Sequence, residues 1–323
     1  MPCSARRASF RGDALMARSR FPADIGLTSR MVLTMFLIGL VYVAFVAVLI
    51  AVKVPLVWII VIAGGFLFFQ YFFSDRIAMF SMRAHEVSAQ QEPVLHGIVD
   101  RLCALADMPK PKVAIAESDI PNAFATGRNQ KTAVLCVTTG IMRRLDEPEL
   151  ESVLSHELSH VAHRDVAVMT IASFLGLLAG FVVRSSLYAG AYGGFGGYGR
   201  RDDSRDNTGA IILLVVLASA VVYALSFLLT RALSRYRELS ADRSAAILTG
   251  RPSTLASALV KVSGEVARIP TRDLRAAEPL NAFFFVPALS PGFSFSSLFS
   301  THPPLQRRLD QLAKIEREMG RAA

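Results

Sequence analysis

Cysteine is nearly absent from this chain. Three occur in 323 residues, at Cys3, Cys103 and Cys136. An odd number at such separations makes neither a disulfide framework nor a thiolate metal cage, and it suits a reducing compartment. Cys103 falls in a helical pattern and Cys136 in a strand pattern, so both are expected as packing residues. Charge is scarce as well. Only 19% of residues are Asp, Glu, Lys or Arg, whereas 52% are hydrophobic and the mean hydropathy is +0.41. That balance argues against an ordinary soluble enzyme and for a membrane protein. The net charge of +9 is not arranged as a basic stripe interleaved with aromatics, so no nucleic-acid partner is expected. No cleavable secretory signal is expected, because the first apolar stretch is long and lacks a small-residue cleavage site. The Arg- and Ser-rich residues 1–30 suit a disordered cytosolic tail better than a mitochondrial transit peptide, since Asp13 and Asp24 interrupt them.

Four uncharged apolar stretches are present, at residues 31–52, 54–73, 166–183 and 209–230. Each approaches the roughly 20 residues that cross a bilayer as helix. The third is the shortest, and a buried core helix or re-entrant segment is the alternative there. If all four cross, the tail and the span-flanking positions place thirteen arginines on one side and five Lys or Arg on the other. The richer side faces the cytosol by the positive-inside rule.

Histidine is also rare, with six in all, yet two stand four apart in His156-Glu157-Leu158-Ser159-His160. An H-E-x-x-H pentad on a helix projects both imidazoles from one face. That spacing suits two zinc ligands, with Glu157 placed to act on a water at the metal. The alternative is a helix with incidental histidines. Local chemistry supports a helix: Asp146-Glu147-Pro148-Glu149 offers an N-cap, a first-turn proline and an acidic N3 residue. Leu150, Val153, Leu154, Leu158 and Val161 follow at helical spacing.

A catalytic zinc needs a third protein ligand. The extended form H-E-x-x-H-x-x-G-x-x-H is absent, because His163 and Val166 occupy the Gly and His positions. His163 is one alternative ligand. Glu238, in Arg237-Glu238-Leu239-Ser240-Ala241-Asp242, is the better one. Asp242 is four residues on, so it shares a helical face and is expected to hold a ligating histidine by its second ring nitrogen. The alternative is a surface helix that simply begins after the fourth apolar stretch. Two membrane crossings between His160 and Glu238 return the chain to the side it left.

Around these residues the pattern predicts helices at 92–107, 238–248, 253–269 and 303–319, and strands at 112–116, 122–126 and 133–138. Gly127-Arg128-Asn129-Gln130 has the chemistry to turn a hairpin. Gly194, Gly196 and Gly199 satisfy G-x-G-x-x-G, but no strand precedes them, so residues 184–208 are expected as a flexible extramembrane loop. Residues 270–300 are irregular and rich in phenylalanine, including Phe283-Phe284-Phe285, Phe293, Phe295 and Phe299. They are expected to pack over the core or to form an apolar flap facing membrane or substrate.

Four groups of residues, in this order, carry a resemblance. They are Pro121-Asn122-Ala123-Phe124-Ala125-Thr126-Gly127, the pentad, Ser234-Arg235-Tyr236-Arg237-Glu238 with Ala241-Asp242, and Thr301-His302-Pro303-Pro304-Leu305 with Arg308. Across about residues 31–315 the chain resembles the HtpX-type membrane-bound zinc metalloproteases, within the gluzincin family that also contains the CAAX prenyl proteases. The likeness is strongest to actinobacterial members. The tail is longer than in typical members, which makes a start at Met16 an alternative. The resemblance implies an α+β, multi-pass membrane protein, with helical transmembrane hairpins and a mostly helical, zincin-like catalytic domain carrying a small β-sheet. The layout would be tail (1–30), first hairpin (31–73), first catalytic part (74–165), second hairpin (166–230) and second catalytic part (231–323).

The implied activity is an endopeptidase of the bacterial cell membrane that clears damaged membrane proteins under stress, with its active site in the cytosol. It would hold one zinc per chain, through His156, His160 and Glu238, with Glu157 as base. Its partners would be bilayer lipid and polypeptides, chiefly membrane proteins, and the resemblance gives no oligomeric state. It places Asn122 on an edge strand that pairs with substrate backbone, and His302 and Arg308 near the cleft, against substrate or the developing oxyanion. For His302 the alternative is a capping residue before Pro303. The rival functions are a prenyl-protein protease, a zinc-binding scaffold without proteolysis, and a channel or transporter. The intact Glu157 disfavours the scaffold. Spans without ionisable residues disfavour the transporter.

Overall fold

The computed structural model describes residues 25–53, 55–193, 208–268 and 302–322. In chain order the elements are α1 (Ile25–Ala51), α2 (Leu56–Ser81), β1 (Ala84–Glu86), α3 (Pro93–Ala106), β2 (Lys112–Ala116), β3 (Ala123–Thr126) and β4 (Val134–Thr138). Then come α4 (Thr139–Met142), α5 (Glu147–Ala162), α6 (Asp165–Gly193), α7 (Thr208–Thr249), α8 (Pro252–Arg268) and α9 (Leu305–Ala322). The phenylalanine-rich stretch and the G-x-G-x-x-G glycines lie outside the described residues.

The apolar stretches became helices, longer than their hydropathy indicated. By length and composition α1, Asp165–Arg184 of α6 and Ala210–Thr249 of α7 are able to cross a membrane. The second expected span falls in α2, whose described apolar run is Ile60–Phe73, shorter than the 20 residues expected. Helix α6 continues to Gly193, so residues 184–193 of the expected loop are helical, and residues 194–207 lie outside the described residues. The largest difference is in α7. A separate ligand helix at 238–248 was expected, but one helix of 42 residues carries both the apolar run and the Glu238 segment. At 1.5 Å per residue it is about 63 Å long, twice the thickness of a bilayer core. No Gly or Pro occurs between Ala210 and Thr249, so nothing interrupts the helix where charge begins at Arg231. It stops at Gly250, which has φ of 68°, with Pro252 two residues on.

The four long helices pack through Phe45 of α1, Phe66 and Leu67 of α2, Phe174, Leu175 and Ala179 of α6, and Val222 of α7. Gly180 lets α7 close in: a Cβ there would lie 2.9 Å from the Tyr223 ring. Three successive carbonyls of α6 accept side-chain donors from three other helices. Gln70 of α2 donates to Thr170 at 3.4 Å, Tyr42 of α1 to Ile171 at 2.5 Å, and Thr230 of α7 to Ala172 at 3.2 Å.

The sheet has the order β1-β2-β4-β3, with β2 and β4 parallel and both outer pairings antiparallel. Its two faces follow the period of two. Val113, Ile115, Leu135 and Val137 join Leu95, Leu102, Leu154, Leu158, Leu255 and Leu312 in the main core. Ala114, Ala116, Phe124, Val134 and Cys136 pack instead against Ala78 at the end of α2. The sheet is therefore wedged between the helical core and the C-terminal end of α2. Cys103 and Cys136 are buried in these two layers as packing residues.

Strand β3 lies at the sheet edge, and its turn depends on Gly127. That residue has φ of 123°, and a Cβ would fall 2.6 Å from Ala133 Cα. Gly127→Ala is expected to cost about 1–3 kcal/mol from this strain. Unfolding of the detergent-solubilised variant measures it, and an unchanged midpoint would show that the turn tolerates a side chain.

Candidate metal centre

Helix α5 starts where a capping box fixes it. Glu149 N–H donates to Asp146 Oδ1 at 2.9 Å, and Asp146 N–H donates to Glu149 Oε2 at 3.2 Å. The buried Glu149 also meets Ser257 Oγ and Lys261 Nζ of α8, each at 2.7 Å. The helix is thus anchored at its N-terminus, two turns before the pentad, and its apolar face lies on the core.

One turn apart on α5, the His156 and His160 rings meet edge to face, with their Nε2 atoms 3.2 Å apart. Glu238 arrives from α7 and completes a triangle. Its Oε2 lies 3.5 Å from His156 Nε2, and its Oε1 lies 3.5 Å from His160 Nε2. Ligand-capable atoms of these three residues all fall within 4.8 Å of one another. Tetrahedral zinc with bonds of about 2.0–2.1 Å would hold its ligand atoms roughly 3.4 Å apart, close to the spacing of the two imidazole nitrogens and of each nitrogen from its nearer carboxylate oxygen.

The other ring nitrogens are engaged. His156 Nδ1 lies 3.0 Å from Asp242 Oδ1, the partner expected for it. His160 Nδ1 lies 2.5 Å from Asp165 Oδ2. With each Nδ1 donating to a carboxylate, both Nε2 atoms present lone pairs to each other. Two facing lone pairs repel unless a cation lies between them. Charge leads to the same conclusion. Glu157, Glu238, Asp242 and Asp165 are four buried carboxylates, while Arg237 and Arg308 are the two buried guanidinium groups beside them. Fully ionised, with neutral histidines, the cluster has an excess of two negative charges, which a divalent cation offsets.

Glu157 lies between His156 and His160 in the chain and is buried, and its Oε2 accepts the Ala125 N–H at 3.2 Å. Burial pushes its carboxyl pKa up, while His156 and His160 pull it back. Burial opposes a charged His156, yet Asp242 and Glu238 raise its pKa on balance. Strand β3 supplies the Ala125 contact because of its register. Asn122 C=O accepts Thr138 N–H at 2.9 Å, so alternate residues face β4, while Ala123 and Ala125 turn their backbone groups away from it.

The remaining sequence-predicted residues are also here, in changed company. Asn122 directly precedes β3 and is fully buried, its backbone bound to Thr138 on both sides. His302 Nδ1 lies 3.1 Å from Glu238 Oε2. Arg308 is buried, and its Nε and Nη2 grip Asp242 at 2.7 and 2.6 Å. Its Nη1 lies 3.9 Å from Glu238 Oε2, so the guanidinium also borders the His156, His160 and Glu238 cluster. His163, the alternative ligand, is the exposed C-cap of α5 and stands outside the cluster. The sequence reading missed Asp165 and the role of Arg237, which pairs with Asp165 through Nη2. The available signal was a lone carboxylate opening an apolar stretch five residues after His160.

Residues 89–316 match the model of peptidase family M48. The chain is 58% identical over 305 residues to "Protease HtpX homolog 1" of Streptomyces coelicolor, covering 94% of this chain and 98% of that relative. It is 56% identical over 302 residues to "Protease HtpX homolog" of Moorella thermoacetica, covering 94% and 98%. In three dimensions it is similar to Ste24p of S. mikatae, with a TM-score of 0.51 at 18% identity, over 90% of this chain and 66% of that one. That likeness concerns the fold.

Arg308→Met would leave Asp242, which is 0% exposed, as an uncompensated buried charge. The expected loss of stability is about 3–5 kcal/mol, with part recovered by adding Asp242→Asn. Denaturant unfolding of both variants checks it. A loss under about 1 kcal/mol in the single variant would mean that Arg308 is not the clamp on Asp242.

Proposed function

The chain belongs to peptidase family M48, a membrane metalloprotease, and from that premise we propose that it is a zinc-dependent endopeptidase acting on damaged or misfolded membrane proteins. His156, His160 and Glu238 hold one zinc per chain, and Glu157 is the general base. The observation that carries this reading is the convergence of two imidazole Nε2 atoms, 3.2 Å apart, on one carboxylate that sets an oxygen 3.5 Å from each. Zinc, when bound, would supply a Lewis acid that lowers the pKa of water to near neutrality and polarises the scissile carbonyl.

The protein's own groups do the rest. Glu157 takes a proton from the attacking water and returns it to the leaving amine, so no covalent intermediate forms. The Ala125 N–H aims its carboxylate. An extended substrate adds to the edge of β3, where the backbone groups of Ala123 and the carbonyl of Ala125 turn away from β4, a mode that does not read side-chain sequence. Asn122 fixes the start of that edge through Thr138. His302, 3.1 Å from Glu238, is the imidazole assigned to the developing oxyanion, and Arg308 holds Asp242.

A membrane-borne substrate fits the position of the site. Asp165, the partner of His160, is the first residue of α6. Glu238 stands eight residues beyond Thr230, the last residue of the apolar run, about 12 Å along α7. The centre therefore lies near the height at which the chain leaves the bilayer. The arginine distribution puts that side in the cytosol.

Glu157→Gln is expected to lower hydrolysis about 100- to 10,000-fold with zinc still bound, because a base and not a ligand is removed. Glu238→Ala should lose both metal and activity. Metal content measured beside cleavage of a membrane-protein substrate, with zinc and with chelator, decides. Full activity in the first variant, or stoichiometric zinc with normal activity in the second, would overturn the assignment.

For orientation, single cysteines at Ser204 and at Ser253 in a variant lacking native cysteines should react from outside at Ser204 only. Protection of both sites would mean that the second hairpin does not cross. Labelling at Ser253 would place the catalytic side outside.

A further inference from the structure

The two histidines of the triangle are braced in the same way by different parts of the fold. His156 Nδ1 faces Asp242, and Asp242 is gripped by the buried Arg308 of α9. His160 Nδ1 faces Asp165, and Asp165 is paired with the buried Arg237 of α7. Each imidazole therefore ends a relay of histidine, aspartate and arginine. The histidine and aspartate of the first relay were foreseeable from the four-residue spacing of Glu238 and Asp242, but its arginine was not. The second depends on a turn. Arg164 adopts φ of 57° between α5 and α6, and this left-handed residue folds the chain back so that Asp165 reaches His160, five residues earlier.

We infer that Asp165, held by Arg237, is a positioning residue for His160, fixing its ring and tautomer so that Nε2 faces the metal. This rests on the zinc reading given above. The chemistry is that of a carboxylate donating acceptor strength to a ligating imidazole. The Nδ1–H donates to Asp165 Oδ2, Nε2 keeps its lone pair, and the ring loses its freedom to rotate. Arg237 holds the oxygen of Asp165 that His160 does not use, leaving the other on the histidine, whereas Arg308 grips both oxygens of Asp242. The consequence is topological. Asp165 is the first residue of α6 and Arg237 immediately precedes Glu238 on α7, so His160 is oriented by both helices of the second membrane hairpin.

A purely structural role is the competing account, since an acidic residue in the first turn of a helix is stabilising in any case. Zinc affinity separates the two accounts. Full-length protein in detergent is titrated with zinc against a competing chelator, and the melting of each metal-free variant is recorded alongside. Asp165→Ala is expected to weaken zinc binding 10- to 100-fold. Asp165→Asn keeps an acceptor oxygen and should lose clearly less than the alanine variant. Arg237→Gln, which leaves every ligand and Asp165 in place, should lose several-fold. If Asp165→Ala does not fold, the asparagine and Arg237→Gln variants carry the test.

Variants that melt lower yet bind zinc within twofold of the unsubstituted protein would overturn the positioning role and leave the protease reading intact. An unsubstituted protein that binds no zinc would remove both.

Discussion

Glu238 has to stand within 3.5 Å of both pentad imidazoles, and that requirement sets the course of the chain between them. Seventy-eight residues separate His160 from Glu238, and they leave along α6 and return along α7. The return leg must be rigid, because the ligand stands about 12 Å beyond the apolar part of its own helix. An uninterrupted helix of 42 residues meets this demand where a membrane helix, a loop and a second helix would not. A loop at the bilayer surface would leave Glu238 free to swing. The same helix carries Asp242 and Arg237, so one rigid element delivers the proposed third ligand, the carboxylate beside His156 and the cation paired with Asp165.

That rigidity extends into the apolar bundle. The carbonyls of Thr170, Ile171 and Ala172 are tied to Gln70, Tyr42 and Thr230, so α6 is fastened to all three of its neighbours. Tyr42 also accepts the Leu175 N–H at 3.0 Å, which places its hydroxyl within the helical ladder of α6. In an apolar surrounding such donors and acceptors have few other partners, and they bind helices together. The tied carbonyls lie five to seven residues from Asp165, roughly 8–10 Å along the helix. The membrane part is therefore fixed close to the carboxylate that orients His160.

Much of this was legible before any coordinates, and the reasons are specific. The pentad helix announced itself through its capping box, which is present as Asp146 and Glu149. Strand β2 runs over the same residues, 112–116, that its apolar pattern indicated. The pairing of Glu238 with Asp242 followed from helical spacing alone. Other features left weaker marks. Strand β1 has three residues, Ala-His-Glu, too few for alternation to register. The continuity of α7 was hidden because hydropathy ends at Arg231, and hydropathy reports environment rather than helix ends. Asp165 escaped because a left-handed turn, and not a helical face, brings it to His160. Arg237 was counted as a charge at a membrane boundary, although burial had given it a partner. Arg308 looked available to substrate because nothing in its spacing ties it to α7.

The buried arginine and aspartate pairs need an explanation of their own. Desolvation cancels most of the attraction in such pairs, and well-packed apolar residues would often serve stability as well. Two of them converging on two adjacent histidines are accounted for by direction rather than by stability. An imidazole packed only by apolar groups can turn about its second side-chain bond, or carry its proton on either nitrogen. A carboxylate on Nδ1 removes both freedoms, and an arginine behind the carboxylate removes the freedom of the carboxylate. Because Asp242 and Arg237 both belong to α7, a slip of that helix by one turn would displace Glu238 and loosen both histidines together. The proposed ligand set therefore assembles or fails as a unit, and its integrity depends on a helix that is also long and apolar enough to cross the membrane.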